Sequence, residues 1–286
     1  MTTATATSVP AGSGMPLEPA PARKARSRPF HDSWIIARRG LTHMKRQPEA
    51  LSDATIQPVM FVLLFAYVFG GAIGVSGGSY REFLMGGIIA QTIVFTAFGV
   101  ALSIANDRKN QAIDRFRSLP IAKGAVLGGH AIANLIKALL PITIMSLCGL
   151  IVGWRIRTDV AHAVMGYLLM IGFVGAMIWI GILFGSLVKT PEGVQGLGFG
   201  VLFPLTFVAS TFVPIDNMPK VLQTIAAWNP VTTLADSVRV LFGNPIGKLP
   251  AGFWSIDHPI AYTVLWIVAI VVICAPLAVR AYQRSI

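Results

Sequence analysis

The sequence predicts an all-α polytopic membrane protein: six transmembrane helices, an N-terminal amphipathic interfacial helix, and external re-entrant helices between spans five and six. Three observations predict it. Hydrophobic residues fill 54% of the 286 positions and charged residues only 12%, half the roughly 25% charged share of a soluble domain. The apolar residues gather into six segments, each near the about 20 residues that a helical crossing needs. The 23 Lys and Arg are spread unevenly between alternate loops, as positive-inside orientation requires.

Residues 1–30 are rich in Thr, Ala, Pro, Ser and Gly and contain the basic cluster Arg23, Lys24, Arg26 and Arg28. They lack the apolar run of a secretory signal and read as a disordered cytoplasmic tail. A transmembrane domain is expected over 31–286. It opens with a segment, 31–51, that mixes Trp34, Ile35, Ile36, Leu41 and Met44 with Arg38, Arg39, Lys45 and Arg46. Too charged to span, this segment suits a helix lying on the membrane surface. The spans follow at about 56–75, 83–105, 125–154, 161–188, 194–213 and 259–279. The third and fourth exceed the hydrocarbon thickness and must tilt, kink or project. Pro141 and Pro204 are candidate kinks, tolerated where neighbouring helices satisfy the freed carbonyls. Cys148 and Cys274 lie in apolar runs and read as small core residues.

With these spans, 16 Lys and Arg fall on one side and 6 on the other, and Lys137 falls inside span three. The bias places both termini in the cytoplasm of a multi-pass membrane protein. It accounts for the net charge of +11 without nucleic acid as a partner.

Little charge lies within the spans. No Asp or Glu occupies the middle of any of them, which argues against a proton- or sodium-coupled carrier. No G-x-x-x-x-G-K-[ST] motif occurs, so no nucleotide site is expected in this chain. The five His are scattered without metal-ligand spacing, and no catalytic cluster or metal site is expected. Energy must then come from outside the chain. Glycines four apart (Gly70/Gly74, Gly149/Gly153, Gly181/Gly185, Gly196/Gly200) suit close helix packing, within the chain or between copies. In span three, His130, Asn134, Lys137 and Pro141 share one helical face. That stripe reads either as the wall of an inward-facing cavity or as exposed helix whose Lys137 snorkels to the interface. If cargo passes between two copies, spans two and five are the candidates for lining it, through Gln91, Phe95, Thr206 and Phe207.

The loop between spans two and three, 106–120, carries Ile113, Phe116 and Leu119 at helical spacing among Arg115 and Arg117, and Pro120 stops it. An apolar stripe flanked by arginines suits either docking into a partner's groove or packing on the membrane surface. Between spans five and six, Asn229-Pro230 separates two amphipathic stretches, 218–228 and 231–242. The second carries an apolar face of Leu234, Ala235, Val238, Leu241 and Phe242, with Asp236 and Arg239 spaced to pair.

At these residues the chain resembles the ABC-2 type permeases, the membrane subunits of one class of ATP-binding cassette exporters. Three stretches are similar to the daunorubicin/doxorubicin-resistance permease subunits of actinobacteria. They are 57–65 with 69–72; Asp114-Arg115-Phe116-Arg117-Ser118-Leu119-Pro120; and 202–208 with Met218-Pro219 and Trp228-Asn229-Pro230-Val231-Thr232. The resemblance implies a bacterial plasma-membrane exporter of a hydrophobic drug, antibiotic or lipid. It implies a dimeric membrane unit, paired with a second copy or a sister permease and docked on two ATPase subunits. Residues 114–120 would be the coupling helix, ATP and Mg would sit on the partner, and Asn229, Pro230 and Thr232 would form an external-loop motif. The alternatives are export of a polysaccharide or lipid-linked glycan, and an ion-coupled secondary transporter. The chain has 16 Phe but shows no external aromatic ladder in its sequence, which favours a small lipophilic cargo.

Overall fold

A computed structural model describes residues 48–109, 123–188, 190–247 and 252–285. Every regular element among them is helical. Helix α1 (Pro48–Leu63) continues as a π-helical segment, Leu64–Phe69. Next come α2 (Tyr80–Lys109), α3 (Lys123–Val152) and α4 (Val160–Leu187). Helix α5 (Pro191–Leu197) passes through a second π-helical segment, Gly198–Leu202, into α6 (Phe203–Phe207). A single 3-10 turn precedes α7 (Lys220–Trp228), α8 (Pro230–Phe242), α9 (Trp254–Asp257) and α10 (Pro259–Ser285).

Among the described residues, four helices are long and apolar enough to cross a membrane: Tyr80–Lys109, Ala131–Val152, Val160–Leu187 and Pro259–Ala281. They coincide with expected spans two, three, four and six. The first expected span appears as a shorter apolar helix, Ile56–Phe69. The fifth is helical in three consecutive pieces and stops at Phe207, six residues before the expected end. The physical reason lies in the next residues. Ser210 donates its backbone N–H to Thr232 Oγ1 at 3.0 Å, Arg239 donates to the Ser210 carbonyl at 2.7 Å, and the Tyr80 hydroxyl donates to the Phe212 carbonyl at 2.9 Å. These side chains engage the backbone groups that a continuing helix would pair internally.

The core forms where α2, α4, α8 and α10 meet. Helices α2 and α4 run parallel and approach closely because α4 presents glycine to α2. A Cβ at Gly181 would lie 2.5 Å from the Ala97 carbonyl oxygen, and one at Gly185 would lie 2.8 Å from that of Ala101. This pair therefore serves packing within the chain. At Gly196 and Gly200 a Cβ would meet nothing within 4 Å, so that pair faces open space. Helix α3 remains continuous through Pro141.

The bundle has two ends. At the upper end, α2 begins, α3 finishes and the 208–258 connection folds over; at the lower end, α2 and α4 finish and α5 starts. In helix α8, residues 231–239 are all buried, because α8 inserts between α2, α4 and α10. Gly243 takes the left-handed conformation (φ 68°) that closes its C-terminus. The Arg157 N–H donates to the Phe242 carbonyl and Thr158 Oγ1 to the Leu241 carbonyl, capping the remaining free acceptors.

These contacts predict opposite effects for two glycines. Gly181→Ala should destabilise the purified protein by about 1–3 kcal/mol through overpacking. Gly196→Ala should leave stability unchanged or raise it, since alanine is the better helix former. Thermal unfolding of both variants in detergent checks the signs.

Candidate functional site

The fold brings together two of the residues expected along a transport path. Gln91 on α2 and Thr206 on α6 are both buried, and Gln91 Nε2 donates to Thr206 Oγ1 at 3.4 Å. Thr206 Oγ1 also donates to the Phe203 carbonyl at 3.0 Å. The two polar groups thus satisfy each other inside the subunit. Phe95 is half-buried and Phe207 is 40% exposed. In the stripe on α3, Asn134 is buried and Lys137 half-buried. The side chain of His130 lies outside the described set, as do all residues of the expected coupling helix, Asp114 to Pro120.

The external-loop motif has a definite task. Asn229 caps α8 by accepting from the Val231 N–H at 2.9 Å, and its Nδ2 reaches back to the Leu205 carbonyl at 2.7 Å. Pro230 occupies the first helical position, where a missing N–H has no cost. With the bond from Ser210 N–H to Thr232 Oγ1, Asn229 and Thr232 join the inserted helix to α6 and the segment after it.

Below this junction lies a group that the sequence shows only as two residues spaced to pair. Arg239 is wholly buried. Its Nε donates to the Phe83 carbonyl at 2.8 Å, Nη1 to Asp236 Oδ1 at 2.6 Å and Ser210 Oγ at 2.9 Å, and Nη2 to the Ser210 carbonyl at 2.7 Å. The guanidinium carbon sits 3.6 Å from the centre of the Phe83 ring, close enough for a desolvated cation–π contact. Its alkyl stem passes where a Cβ of Gly86 would lie, 2.8 Å away. Ser210 Oγ also donates to Asp236 at 3.1 Å, so the buried carboxylate is neutralised and hydrogen-bonded from two sides. Arg239 thereby ties α8, the start of α2 and the segment after α6 into one unit. Closer to the surface, Arg157 Nε and Nη2 both bond Glu82 Oε1, at 3.0 and 2.8 Å.

Aromatic rings run along one side of the molecule. Phe98, Phe199, Phe203, Phe207, Phe212 and Phe65 form an unbroken sequence of ring contacts, centroids 4.3 to 6.5 Å apart. At the upper end, Trp228, Trp254 and Trp266 each pack edge-on against Tyr262, at 5.7 to 6.0 Å. This group draws on α7, α9 and α10, so no local stretch of sequence reveals it.

The lower end has its own connections. Arg108 donates to the Ser186 carbonyl at 3.0 Å and to the Val188 carbonyl at 3.4 Å, and Lys109 pairs with Glu192 at 3.4 Å. An apolar cavity of about 30 Å³ lies between α2, α4 and the second π segment, lined by Phe98, Ala101, Phe184, Leu197, Val201 and Leu202. No cluster of three or more His, Cys, Asp or Glu suited to a metal occurs among the described residues.

Comparison with known proteins adds a further finding. Residues 31–242 match the ABC-2 type transporter family. The chain is 29% identical over 247 residues to the daunorubicin resistance ABC transporter permease protein DrrB1 of Streptomyces coeruleorubidus, covering 86% of this chain and 84% of that protein. It is 24% identical over 237 residues to the inner membrane transport permease YadH of Escherichia coli, covering 79% and 87%. It is 23% identical over 219 residues to the transport permease ycf38 of Cyanophora paradoxa, covering 75% of each.

Arg239 supplies the prediction. Asp236→Ala leaves a buried guanidinium without its counter-charge and should cost about 3–5 kcal/mol. The apolar double replacement Asp236→Leu with Arg239→Met should recover much of that loss. Chemical or thermal unfolding of the single and double variants measures the difference.

Proposed function

Because the chain belongs to the ABC-2 type transporter family, we propose that it is the permease subunit of a bacterial ATP-binding cassette exporter. It resides in the plasma membrane with six spans and both termini cytoplasmic, so the lower end of the bundle is the cytoplasmic end. The helix Ile56–Phe69 and the composite helix from Pro191 to Phe207 are the two spans beyond the four long ones. Helices α7 and α8 are the external re-entrant elements. The observation that carries this reading is the similarity, over 86% of the chain, to a permease named for daunorubicin resistance. The cargo is a hydrophobic drug, antibiotic or lipid, consistent with the exposed apolar and aromatic face of Phe199, Val201 and Phe207. A path between two permease subunits would run along that face. Gln91 and Thr206 would lie just behind it, and the Asn134–Lys137 stripe would approach it from α3.

ATP and Mg sit on two copies of a separate ATPase subunit, because the chain carries no phosphate-binding Gly-rich loop. The loop around Asp114 to Pro120 is the coupling helix that enters the ATPase groove. The second permease subunit is another copy or a sister chain. No catalytic residue, resident cofactor or nucleic-acid partner is assigned. Export of a polysaccharide or lipid-linked glycan is the second reading, and the Trp228, Trp254, Tyr262 and Trp266 group favours it, since sugars stack on such surfaces. The buried Asp236 gives little support to ion coupling, because Arg239 and Ser210 already bond its Oδ1.

Co-purification tests the docking claim. Phe116→Asp or Leu119→Asp should release the partner ATPase while the permease still inserts into the membrane. Retention of the ATPase by both variants would contradict the assignment.

A further inference from the structure

Three helix ends meet at the cytoplasmic end of the bundle, directly before the loop that the functional reading assigns to the ATPase. Ser186 and Val188 stand at the C-terminus of α4, where carbonyls lack intrahelical partners and the helix dipole is negative. Arg108 donates one Nη to each of these carbonyls. One residue later, Lys109 reaches Glu192 in the first turn of α5. Thr190 caps that turn by accepting from the Gly193 N–H at 3.1 Å. Beneath these polar contacts, Ala101, Ala105 and Val194 form a small apolar cluster with Phe98, Leu102 and Val188. The end of α2 therefore holds both the finish of α4 and the start of the composite helix.

The composite helix is fixed at its other end as well. Asn229 holds the Leu205 carbonyl, and Arg239 and Thr232 hold Ser210. Between the two anchors lie the π segment Gly198–Leu202, whose Gly198 packs on the Phe98 ring, the small apolar cavity, and the unopposed Gly196 and Gly200. A helix held at both ends, with a π segment and open space on one face between them, responds to a push at one end by bending in the middle.

We propose that Arg108 and Lys109 are positioning residues that pass displacement of the ATPase-docking loop to the composite helix 191–207. The proposal rests on the functional reading that this loop docks an ATPase. Lys109 and Glu192 are both exposed, and exposed pairs contribute little to stability. Reversing them alters transmission and leaves the fold in place.

The test uses the full chain with its partner ATPase in lipid nanodiscs, with Cys148 and Cys274 replaced by serine and Gly196→Cys as the reporter. The rate of maleimide labelling at position 196 is measured with and without ATP plus vanadate. With the tie intact, nucleotide trapping should change the rate several-fold. Lys109→Glu and Glu192→Lys alone should abolish the response while ATPase binding stays intact, and the double reversal should restore it. Arg108→Gln should also abolish it. A normal response in either single reversal, or no recovery in the double, overturns the proposal. Absence of ATPase binding even with the tie intact removes the functional reading itself, and the proposal with it.

Discussion

The structure depends most on one buried cation. A guanidinium carried into an apolar bundle must find a counter-charge and hydrogen-bond acceptors there, or its burial is costly. Arg239 finds Asp236 one turn earlier on its own helix, the Phe83 carbonyl at the start of α2, and both the hydroxyl and the carbonyl of Ser210. Several local features follow from that requirement. The chain leaves helical geometry after Phe207, so that Ser210 can present its carbonyl to Arg239. Glycine stands at position 86, because the arginine stem fills the space of a side chain there. It stands at 87 too, where a Cβ would lie 2.0 Å from the Thr211 carbonyl oxygen. The inserted helix α8 is polar enough to bind its neighbours specifically and apolar enough to be buried among them.

This arrangement distributes stiffness along the composite helix in a way that suits a subunit driven from outside. The upper end is clamped by charge-assisted hydrogen bonds from Arg239 on α8 to Ser210, which are the strong kind. The lower end is tied to the finish of α2 by Lys109. The middle has the wider π geometry, with open space beside Gly196 and Gly200 and the Phe98 ring against Gly198. An interruption of this type commonly marks a functional position in a helix. On the proposed reading, these two anchored ends and the π segment between them are the element that an ATPase partner bends.

The spans were legible in the sequence because hydropathy and length are local properties. Tyr80–Lys109 and Val160–Leu187 match the expected 83–105 and 161–188 within a few residues. The early end of span five was not legible. It depends on hydrogen bonds from Thr232, Arg239 and Tyr80, which lie 22 to 132 residues away from the groups they bind. The pairing of Asp236 with Arg239 could be anticipated from their spacing, but their complete burial could not. An amphipathic pattern implies a wet polar face, and only the packing of α2, α4 and α10 around α8 removes it. The meeting of Gln91 with Thr206 joins residues 115 apart and satisfies two groups that the sequence presents as separate path candidates. The external aromatic group likewise needs the tertiary fold to assemble it.

The central claim is that this chain moves cargo with energy supplied by a partner. Proteoliposomes holding the permease with and without its ATPase, loaded with a fluorescent hydrophobic dye, test it most directly. The account predicts ATP-dependent dye movement only when both subunits are present, blocked by vanadate and unaffected by a protonophore. Dye movement by the permease alone that collapses with the protonophore and ignores vanadate would contradict it.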